Sequence, residues 1–373
     1  MKIGLSAMWL HSGADSKNSG LSRYAFRLID EWVRSRPPHT FTLFHPATFE
    51  PPPAWQDALE CRSVPIPSLA KRAKWEHVEA GRHAAQFDVW FSLAQVLPLG
   101  KGPRKAVMIH DAIPVLYPAF HARRTVLYYR IALRHAVRSA DLILVNSSAT
   151  GADLRRLFQA PPEKLTVTHL APGNLLAPVP KGASTAEALR RIGVPFDSYL
   201  LFLGNLEPRR NLPRLFEAFA LVRSSHPALG LVVAGGTRPG EGPGLERVRH
   251  LGLTEWVAFP GYVAEADLPV LFAGASAFVF PSLCEGFGIP VLEALSHGVP
   301  VAASDLPVLR EIAGEHASYF DPYRSESIAE ALDGLLAEEV QRRRPLPTAM
   351  ERAAGFTWAR VAAETLAALE RLA

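Results

Sequence analysis

The sequence predicts an α/β protein of two domains, and two observations support this prediction. Short apolar runs suited to buried parallel strands alternate with longer stretches of helical periodicity, and this alternation occurs twice. The chain of 373 residues, with 48% hydrophobic content, is also longer than one core usually serves. We therefore expect two Rossmann-like domains that face each other across a cleft, each a parallel sheet with helices on both faces.

The strand pattern sets the predicted domain boundaries. In the first half the strands are predicted at residues 2–8, 40–45, 89–92, 105–110, 142–146 and 165–169. In the second half they are predicted at residues 199–204, 229–234, 256–259, 277–281, 299–304 and 318–320. The domains are accordingly residues 1–171 and 198–355.

Two further segments complete this division. Residues 172–197 are rich in Pro, Gly and Ala, carry only a short helical pattern at 186–192, and form the predicted linker. Residues 356–373 are predicted to form a C-terminal helix, because Val361, Leu366 and Leu369 fall on one apolar face. We expect this helix to pack on a domain surface, with the first domain as the candidate.

Composition narrows the class of protein. Forty basic and 36 acidic side chains leave a net charge of +4, too small a surplus to indicate nucleic-acid binding. The only cysteines, Cys61 and Cys284, are far apart, which argues against a disulfide framework or a structural zinc site. No apolar stretch approaches the roughly 18 residues of a membrane-spanning helix. We expect a cytoplasmic enzyme whose membrane contact, if any, is peripheral.

The most informative stretch is residues 281–295, PSLCEGFGIPVLEAL. A strand ends there, a Glu-Gly-Phe-Gly loop turns, and a helix begins near Ile289 with Pro290 in its first turn. Gly286 and Gly288 allow close backbone approach, and the free N–H groups of a helix start bind phosphate oxygens. The loop therefore predicts a diphosphate site.

Two carboxylates flank this loop at a spacing of Glu, seven residues, Glu. With phosphate at the helix start, Glu293 lies on the side of a nucleoside ribose and Glu285 on the side of a transferred sugar. The order sugar, diphosphate, ribose is that of a nucleotide sugar. In the alternative interpretation, Glu293 is a solvated helical carboxylate and Glu285 only favours the helix N-terminus electrostatically.

This motif resembles the signature of the family 4 retaining glycosyltransferases of the GT-B fold. The resemblance extends through residues 261–282 and 298–322 and covers essentially the whole second half. It implies that Glu285 contacts the donor sugar and that Glu293 binds the ribose. It also places the residues between them in the donor-binding loop: Gly286, Phe287, Gly288 and Ile289.

A second motif, FLGNLEPRRN at residues 202–211, ends a strand with two adjacent arginines. Without a metal site, the charge of a departing nucleoside diphosphate must be met by cations and backbone dipoles. Arg209 and Arg210 are the candidates. The family usually has E-P-R-K-N here, so Arg210 replaces a lysine, which keeps the charge and changes its geometry. Alternatively, both arginines are simply solvated.

The first domain supplies two more candidates. His110 ends a buried strand in VMIHDAIPVLYP, residues 107–118, and the resemblance places it against the donor sugar, with Asp111 orienting the loop. Gly20 opens GLSRY, where the family has a second glycine in place of Ser22, and it is assigned to donor binding. The glycines of residues 230–248 lack the third position of a dinucleotide fingerprint, where Leu245 stands, so this segment is interpreted as a mobile surface loop.

The resemblance implies a retaining hexosyltransferase with a nucleotide diphosphate sugar as co-substrate and with no metal or other cofactor. The motifs EPRRN and HDAIPVLYP resemble those of bacterial enzymes of surface polysaccharide synthesis that transfer mannose or related sugars. GDP-mannose is therefore the first candidate donor and a UDP-hexose the second. The acceptor is a glycan or a lipid-linked sugar. The alternatives are a nicotinamide-dependent oxidoreductase and a non-catalytic nucleotide-sugar binder.

Two basic segments of the first domain, residues 71–83 and 123–138, have helical patterns. In the second, arginines accompany Val126, Tyr129, Ile131 and Leu133. Such a mixture is found in helices that rest on anionic membranes. It is equally found in a domain helix with an apolar side in the core and arginines in solvent, and the sequence leaves both interpretations open.

Overall fold

A computed structural model describes residues 1–11, 20–66, 68–173, 183–236, 243–337 and 346–372. The chain divides into two compact units. The first contains Met1–Leu170 and Thr357–Ala373, and the second contains Ala171–Phe356. Each unit is built on one parallel sheet, which confirms the predicted fold class.

The first unit has a seven-stranded sheet in the order β3-β2-β1-β4-β5-β6-β7. All its strands are parallel to their neighbours; Ile3, for example, lies between Phe41 and Val89. The strands are Lys2–Ser6 (β1), Thr40–Pro46 (β2), Glu60–Val64 (β3), Val89–Ser92 (β4), Arg104–Ile109 (β5), Leu142–Val145 (β6) and Leu165–Val167 (β7).

Helices connect these strands. They are Gly20–Ser35 (α1), Pro53–Ala58 (α2), Leu69–Lys74 (α3), Ala80–Ala84 (α4), Ile113–Leu116 (α5), Arg123–Ser139 (α6) and Ser148–Phe158 (α7), with a π-helical turn at Trp75–Glu79 between α3 and α4. In α1, Tyr24, Leu28 and Trp32 recur every fourth residue and are buried. The helix ends because Arg36 adopts a left-handed conformation and prolines follow.

The sequence pattern did not predict strand β3. It is an edge strand of sequence ECRSV in which only Val64 is buried, so it carries no apolar signal. Its backbone pairs with β2, and Thr42 Oγ1 donates a hydrogen bond of 2.9 Å to the Glu60 carboxylate. All the strands that the sequence predicts are present in the two units, and their ends differ from the predicted ends by at most two residues.

The second unit has a six-stranded parallel sheet in the order β10-β9-β8-β11-β12-β13. Its strands are Tyr199–Leu203 (β8), Gly230–Ala234 (β9), Val257–Gly261 (β10), Ala277–Phe280 (β11), Val301–Ser304 (β12) and Ala317–Phe320 (β13). The chain runs outward from β8 to β10 and then returns to the other side of β8 for β11. The order therefore reverses between β8 and β11, which makes this pair the topological switch point.

The helices of this unit are Ala183–Ile192 (α8), Leu212–Val222 (α9), Pro243–His250 (α10), Leu268–Gly274 (α11), Ile289–Ser296 (α12), Pro307–Ala313 (α13), Ser325–Leu336 (α14) and Pro347–Ala354 (α15). Helix α8 lies within the predicted linker, yet it packs on α11, and Arg191 pairs with Asp267 at 2.8 Å. Residues 183–197 therefore belong to the second unit.

Two predicted segments, the linker and the mobile loop, lie partly outside the residues that the structure describes. Residues 174–182 of the predicted linker lie outside them, as do residues 237–242 of the predicted mobile loop. The described parts of that segment are regular instead: Gly230–Ala234 is strand β9, and residues 243–248 lie in α10. Gly244 in this helix faces the Phe216 ring, and a Cβ there would come within 3.1 Å of it.

The last helix, Trp358–Glu370 (α16), belongs to the first unit. Thr357 caps its N-terminus by accepting a hydrogen bond from the Arg360 backbone. Val361 and Leu369 are buried, and the Trp32 indole N–H of α1 donates to the Ala362 carbonyl at 3.1 Å. The C-terminal segment thus completes the core of the unit that begins the chain.

Candidate active site

The loop between β11 and α12 depends on Gly288. This residue stands before the first turn of α12 with φ of 105°, a conformation that strains any other residue. A Cβ on Gly288 would also lie 2.7 Å from Cδ2 of Leu309. Gly288 has no side chain to cap the helix, Pro290 has no N–H, and the Val291 N–H donates to the Gly288 carbonyl at 3.0 Å. Among the described residues this leaves the Ile289 N–H at the start of α12 for another acceptor.

The rest of the loop is packed into the unit. Gly286 is buried, and Phe287 is only 4% exposed with its ring edge-on to Phe356 at 6.4 Å. Ile289 is half-buried and begins the helix. Phe287 therefore anchors the loop through its side chain.

The carboxylate of Glu285 lies between the two arginines of the EPRRN turn. Its Oε2 is 3.2 Å from Nη1 of Arg209, and its Oε1 accepts a hydrogen bond from Nη1 of Arg210. The three side chains are mostly buried, with exposed fractions of 8%, 18% and 12%. Arg209 also binds the exposed Glu207 at 2.7 Å. The structure thus joins two motifs that the sequence presents separately.

Further hydrogen bonds, from both backbone and side-chain groups, hold these two loops together. The Leu283 N–H donates to the Arg209 carbonyl at 2.8 Å, and Arg209 Nη1 donates to the Cys284 carbonyl at 3.4 Å. Arg210 Nη1 donates to the hydroxyl of buried Ser282 at 3.2 Å. The loops meet because they follow the carboxyl ends of β8 and β11, the neighbouring strands at the switch point, where open α/β sheets bind their ligands.

Arg210 is the most enclosed cation of this site. Burial lowers its pKa below the usual range and Glu285 opposes this effect, but a guanidinium remains charged at any physiological pH. Its Nε is buried and has no hydrogen-bond partner among the described residues. A buried N–H without a partner is costly, so this atom is a candidate donor to a ligand.

Asn211 was not assigned a role from the sequence. It follows the 3-10 turn Pro208–Arg210 with φ of 60°, and its side-chain amide donates to the Pro322 carbonyl at 2.6 Å. Asparagine tolerates this left-handed conformation better than most residues. Asn211 therefore fixes the turn that aims both arginines, and an Asn directly after the arginines is the signal that would identify it.

Glu293 is buried, with 2% exposure, in α12. Its Oε1 accepts a hydrogen bond of 3.4 Å from the Gly173 backbone. The interpretation of Glu293 as a solvated helical carboxylate is therefore wrong. Buried carboxylates need hydrogen-bond donors, and the hydroxyl groups of a ribose are donors of this kind.

In the first unit, His110 follows the carboxyl end of β5. It is buried, its Nε2 lies 3.1 Å from the Leu93 carbonyl, and its ring meets the Tyr24 ring edge-on at 4.8 Å. Burial lowers its pKa to about 4, so the imidazole is neutral. Asp111 accepts a hydrogen bond from the Ile113 backbone at 3.0 Å and so orients the loop.

Gly20 is the first residue of α1. A Cβ at this position would meet nothing within 4 Å, so packing within the described residues does not require glycine here.

Among the described residues, no group of three or more His, Cys, Asp or Glu side chains is arranged to hold a metal ion. In the same part of the chain, every helix is too short or too polar to cross a membrane.

Comparison with known proteins agrees with this geometry. Residues 18–171 match the family described as Glycosyltransferase Family 4, and residues 193–354 match Glycosyl transferases group 1. The O-antigen chain mannosyltransferase B of Escherichia coli is 30% identical over 270 residues, which cover 72% of this chain and 71% of that protein.

Solved structures share the fold. Sucrose-phosphate synthase from Thermosynechococcus elongatus superposes with a TM-score of 0.76 at 20% identity, over 100% of this chain and 99% of that one. HepE of Anabaena, solved with UDP and glucose, superposes with a TM-score of 0.72 at 20% identity, over 99% of both chains. Fold and site together define a glycosyltransferase of the GT-B type. The chain belongs to family 4 of these enzymes.

The environment of His110 predicts an unusual titration. We expect its imidazole to titrate near pH 4 in NMR spectra, where an exposed histidine titrates near about 6.5. Because folding lowers this pKa, the associated stability is complete above about pH 6.5 and is lost as the pH falls toward 4. The variant His110→Gln should lack this part of the pH dependence. A midpoint near 6.5 would contradict the burial of His110.

Proposed function

We propose that the protein is a retaining hexosyltransferase that transfers mannose from GDP-mannose to a glycan or lipid-linked acceptor in cell-surface polysaccharide synthesis. The observation that carries this proposal is the buried carboxylate of Glu285 between Arg209 and Arg210, beside the uncapped start of α12. The mannosyl donor and the polysaccharide context are supported by the name of the relative in Escherichia coli.

Each part of the site has a role in this proposal. Arg209, Arg210 and the N-terminus of α12 bind the diphosphate, because cations and a helix N-terminus both attract phosphate oxygens. Glu285 contacts the transferred sugar, and Glu293 accepts hydrogen bonds from the ribose. The backbone of residues 286–289 approaches the phosphates.

The contacts of Glu285 imply an exchange of partners. Its carboxylate occupies both arginines, as the diphosphate would. When the donor binds, its phosphates replace the carboxylate, which is released to accept hydrogen bonds from the sugar hydroxyls. Each charged hydrogen bond contributes about 1.5 to 3 kcal/mol, so exchanging one set for another keeps the change in free energy small.

Transfer with retention then needs no enzymatic nucleophile. The acceptor hydroxyl attacks the anomeric carbon from the face that the diphosphate leaves. The new C–O bond forms as the bond to the leaving phosphate oxygen breaks, and that oxygen takes the hydroxyl proton. Arg209, Arg210 and the helix start stabilise the growing negative charge, so in this proposal the reaction proceeds without a metal ion or other cofactor.

A UDP-hexose-dependent glucosyltransferase is the second candidate function. Glu293 is assigned to the ribose, and the arginines to the diphosphate; guanosine and uridine donors share both groups. These residues therefore do not select the base. A non-catalytic nucleotide-sugar binder would have the same contacts and would differ only in lacking transfer.

Donor assays test the proposed function. We expect GDP and GDP-mannose to raise the melting temperature more than UDP and UDP-glucose do, because a ligand that binds only the folded state stabilises it. GDP-mannose should be hydrolysed slowly without acceptor, at an unchanged rate in EDTA, and NMR should show the α-anomer of mannose first. A magnesium-reversible loss of activity in EDTA would contradict metal independence, and binding without turnover would indicate a binding protein.

The two glutamates should have separable effects. Glu293→Ala should weaken nucleoside diphosphate binding by about 10- to 100-fold, through loss of a charged hydrogen bond worth about 1.5 to 3 kcal/mol. Glu285→Gln should bind the nucleotide at least as tightly as the native protein, because the arginines are no longer neutralised, while turnover falls.

Calorimetry measures both affinities. Glu207→Gln is the matched control, because Glu207 also pairs with Arg209 but is 47% exposed and should have little effect. Unchanged affinity in Glu293→Ala would exclude the ribose assignment. Weaker nucleotide binding in Glu285→Gln would contradict the exchange of partners.

We further propose that α6 rests on the inner face of an anionic membrane and so brings the enzyme to a lipid-linked acceptor. Leu127 and Ile131 are 60% and 62% exposed, whereas Leu133 lies in the core. Five arginines of this helix are exposed, and the helix contains no acidic residue: Arg123, Arg124, Arg130, Arg134 and Arg138. Exposed apolar side chains among arginines suit the surface of an anionic bilayer.

Vesicle sedimentation tests this location. Binding should require anionic lipid, weaken as salt rises, and fall in the variant Arg123→Glu/Arg124→Glu/Arg130→Glu, since each arginine near the surface contributes on the order of 1 kcal/mol. A control with the same charge change on exposed arginines of the second unit should bind normally: Arg190→Glu/Arg249→Glu/Arg324→Glu. Equal binding to neutral and anionic vesicles would favour a soluble acceptor.

A further inference from the structure

A groove of about 310 Å³ lies between the C-terminal ends of α6 and α7. Its lining includes Arg134, Arg138, Lys164, Val137, Phe158 and Pro161. Both helices end just before the next strand begins, so the groove lies at the amino ends of the strands. His110 follows the opposite, carboxyl end of β5. None of the residues assigned to donor binding or catalysis lines this groove.

The described lining is strongly basic. It contains three cations, and none of its residues is acidic. Arg134 and Arg138 are exposed, and neither guanidinium group has a hydrogen bond or ion pair with another described residue. Lys164 is held at the rim, where its ammonium group donates to the Ala140 carbonyl at 2.7 Å. The groove therefore presents a concentrated positive charge.

Helix stability does not explain this arrangement. A cation near a helix C-terminus is favourable, and Arg138 stands in the last turn of α6. Arg134 is one turn earlier, and two like charges four residues apart destabilise a helix. The pair becomes favourable when an anion lies between the two guanidinium groups.

The groove also has an apolar side. Val137 is only 2% exposed, and the side chains of Leu157, Phe158 and Pro161 are half-buried. Its volume is at the small end of the range of about 300 to 1,000 Å³ that is typical of ligand pockets. Guanidinium groups bind phosphate through paired hydrogen bonds, and an apolar wall suits the rest of a small ester.

We propose that this groove is a second ligand site, separate from the donor site, that binds a small phosphate ester. The phosphate lies between Arg134, Arg138 and Lys164, and the organic part of the ester packs on Phe158 and Pro161. Occupancy of this site does not depend on glycosyl transfer, because none of the residues assigned to that reaction takes part.

Calorimetry with phenyl phosphate tests this site, since the probe combines a phosphate with a small apolar group. Arg134→Gln/Arg138→Gln should weaken binding at least tenfold. Arg123→Gln/Arg124→Gln removes the same charge from the same helix outside the groove and should bind the probe within twofold of the native protein. The two variants are compared with each other, and both keep the nucleotide site. Any phenyl phosphate that binds at the nucleotide site therefore contributes equally to both measurements. Lys164→Gln supplies a second test, with melting temperatures to confirm folding.

Vesicles identify the source of the phosphate. If the groove variant loses phenyl phosphate binding but binds phosphatidic acid vesicles as the control variant does, the natural ligand is a soluble ester. If it also loses the vesicles, relative to the control, the ligand is a lipid headgroup, whose phosphate has the same chemistry. Equal binding of both probes by the groove and control variants would overturn the proposal.

Discussion

The enclosure of one carboxylate by two guanidinium groups is the constraint on which the site depends. Glu285 holds Arg209 and Arg210 in place, and these contacts tie the turn after β8 to the loop after β11. Moving charges out of water costs free energy, and a buried ion pair offsets that cost only with good geometry and further hydrogen bonds. Here the Ser282 hydroxyl and the Cys284 carbonyl supply some of those bonds. Contacts within the protein thereby organise both loops.

This arrangement favours ligands that are anions. A neutral molecule cannot replace the carboxylate without leaving two cations poorly paired, whereas a diphosphate can. The glycine at position 288, with φ of 105°, lets the chain turn into α12 directly after this loop. In the proposed complex, charge and backbone act together on the diphosphate, and the proposed sugar and ribose contacts lie on either side of it.

The sequence predicted the fold well, because buried strands appear in it as apolar runs. Edge strand β3 has a polar sequence and therefore gives no such signal. The spacing of Glu285 and Glu293 and the helix start between them were also visible, because these features are local in the chain. The pairing of Glu285 with Arg209 and Arg210 was not visible. It depends on β8 and β11 being neighbours in the sheet, and strand order is a tertiary property that motif spacing does not encode.

The return of helix α16 to the first unit affects the order in which the protein can fold. During synthesis the N-terminal segment emerges first, yet the indole of Trp32 finds its partner, the Ala362 carbonyl, only in the last helix. One flank of α1 therefore stays uncovered until the ribosome has translated the whole second unit and then α16. Domains usually fold as they emerge, and exposed apolar flanks promote aggregation. A fragment ending at residue 170 would keep that flank uncovered permanently.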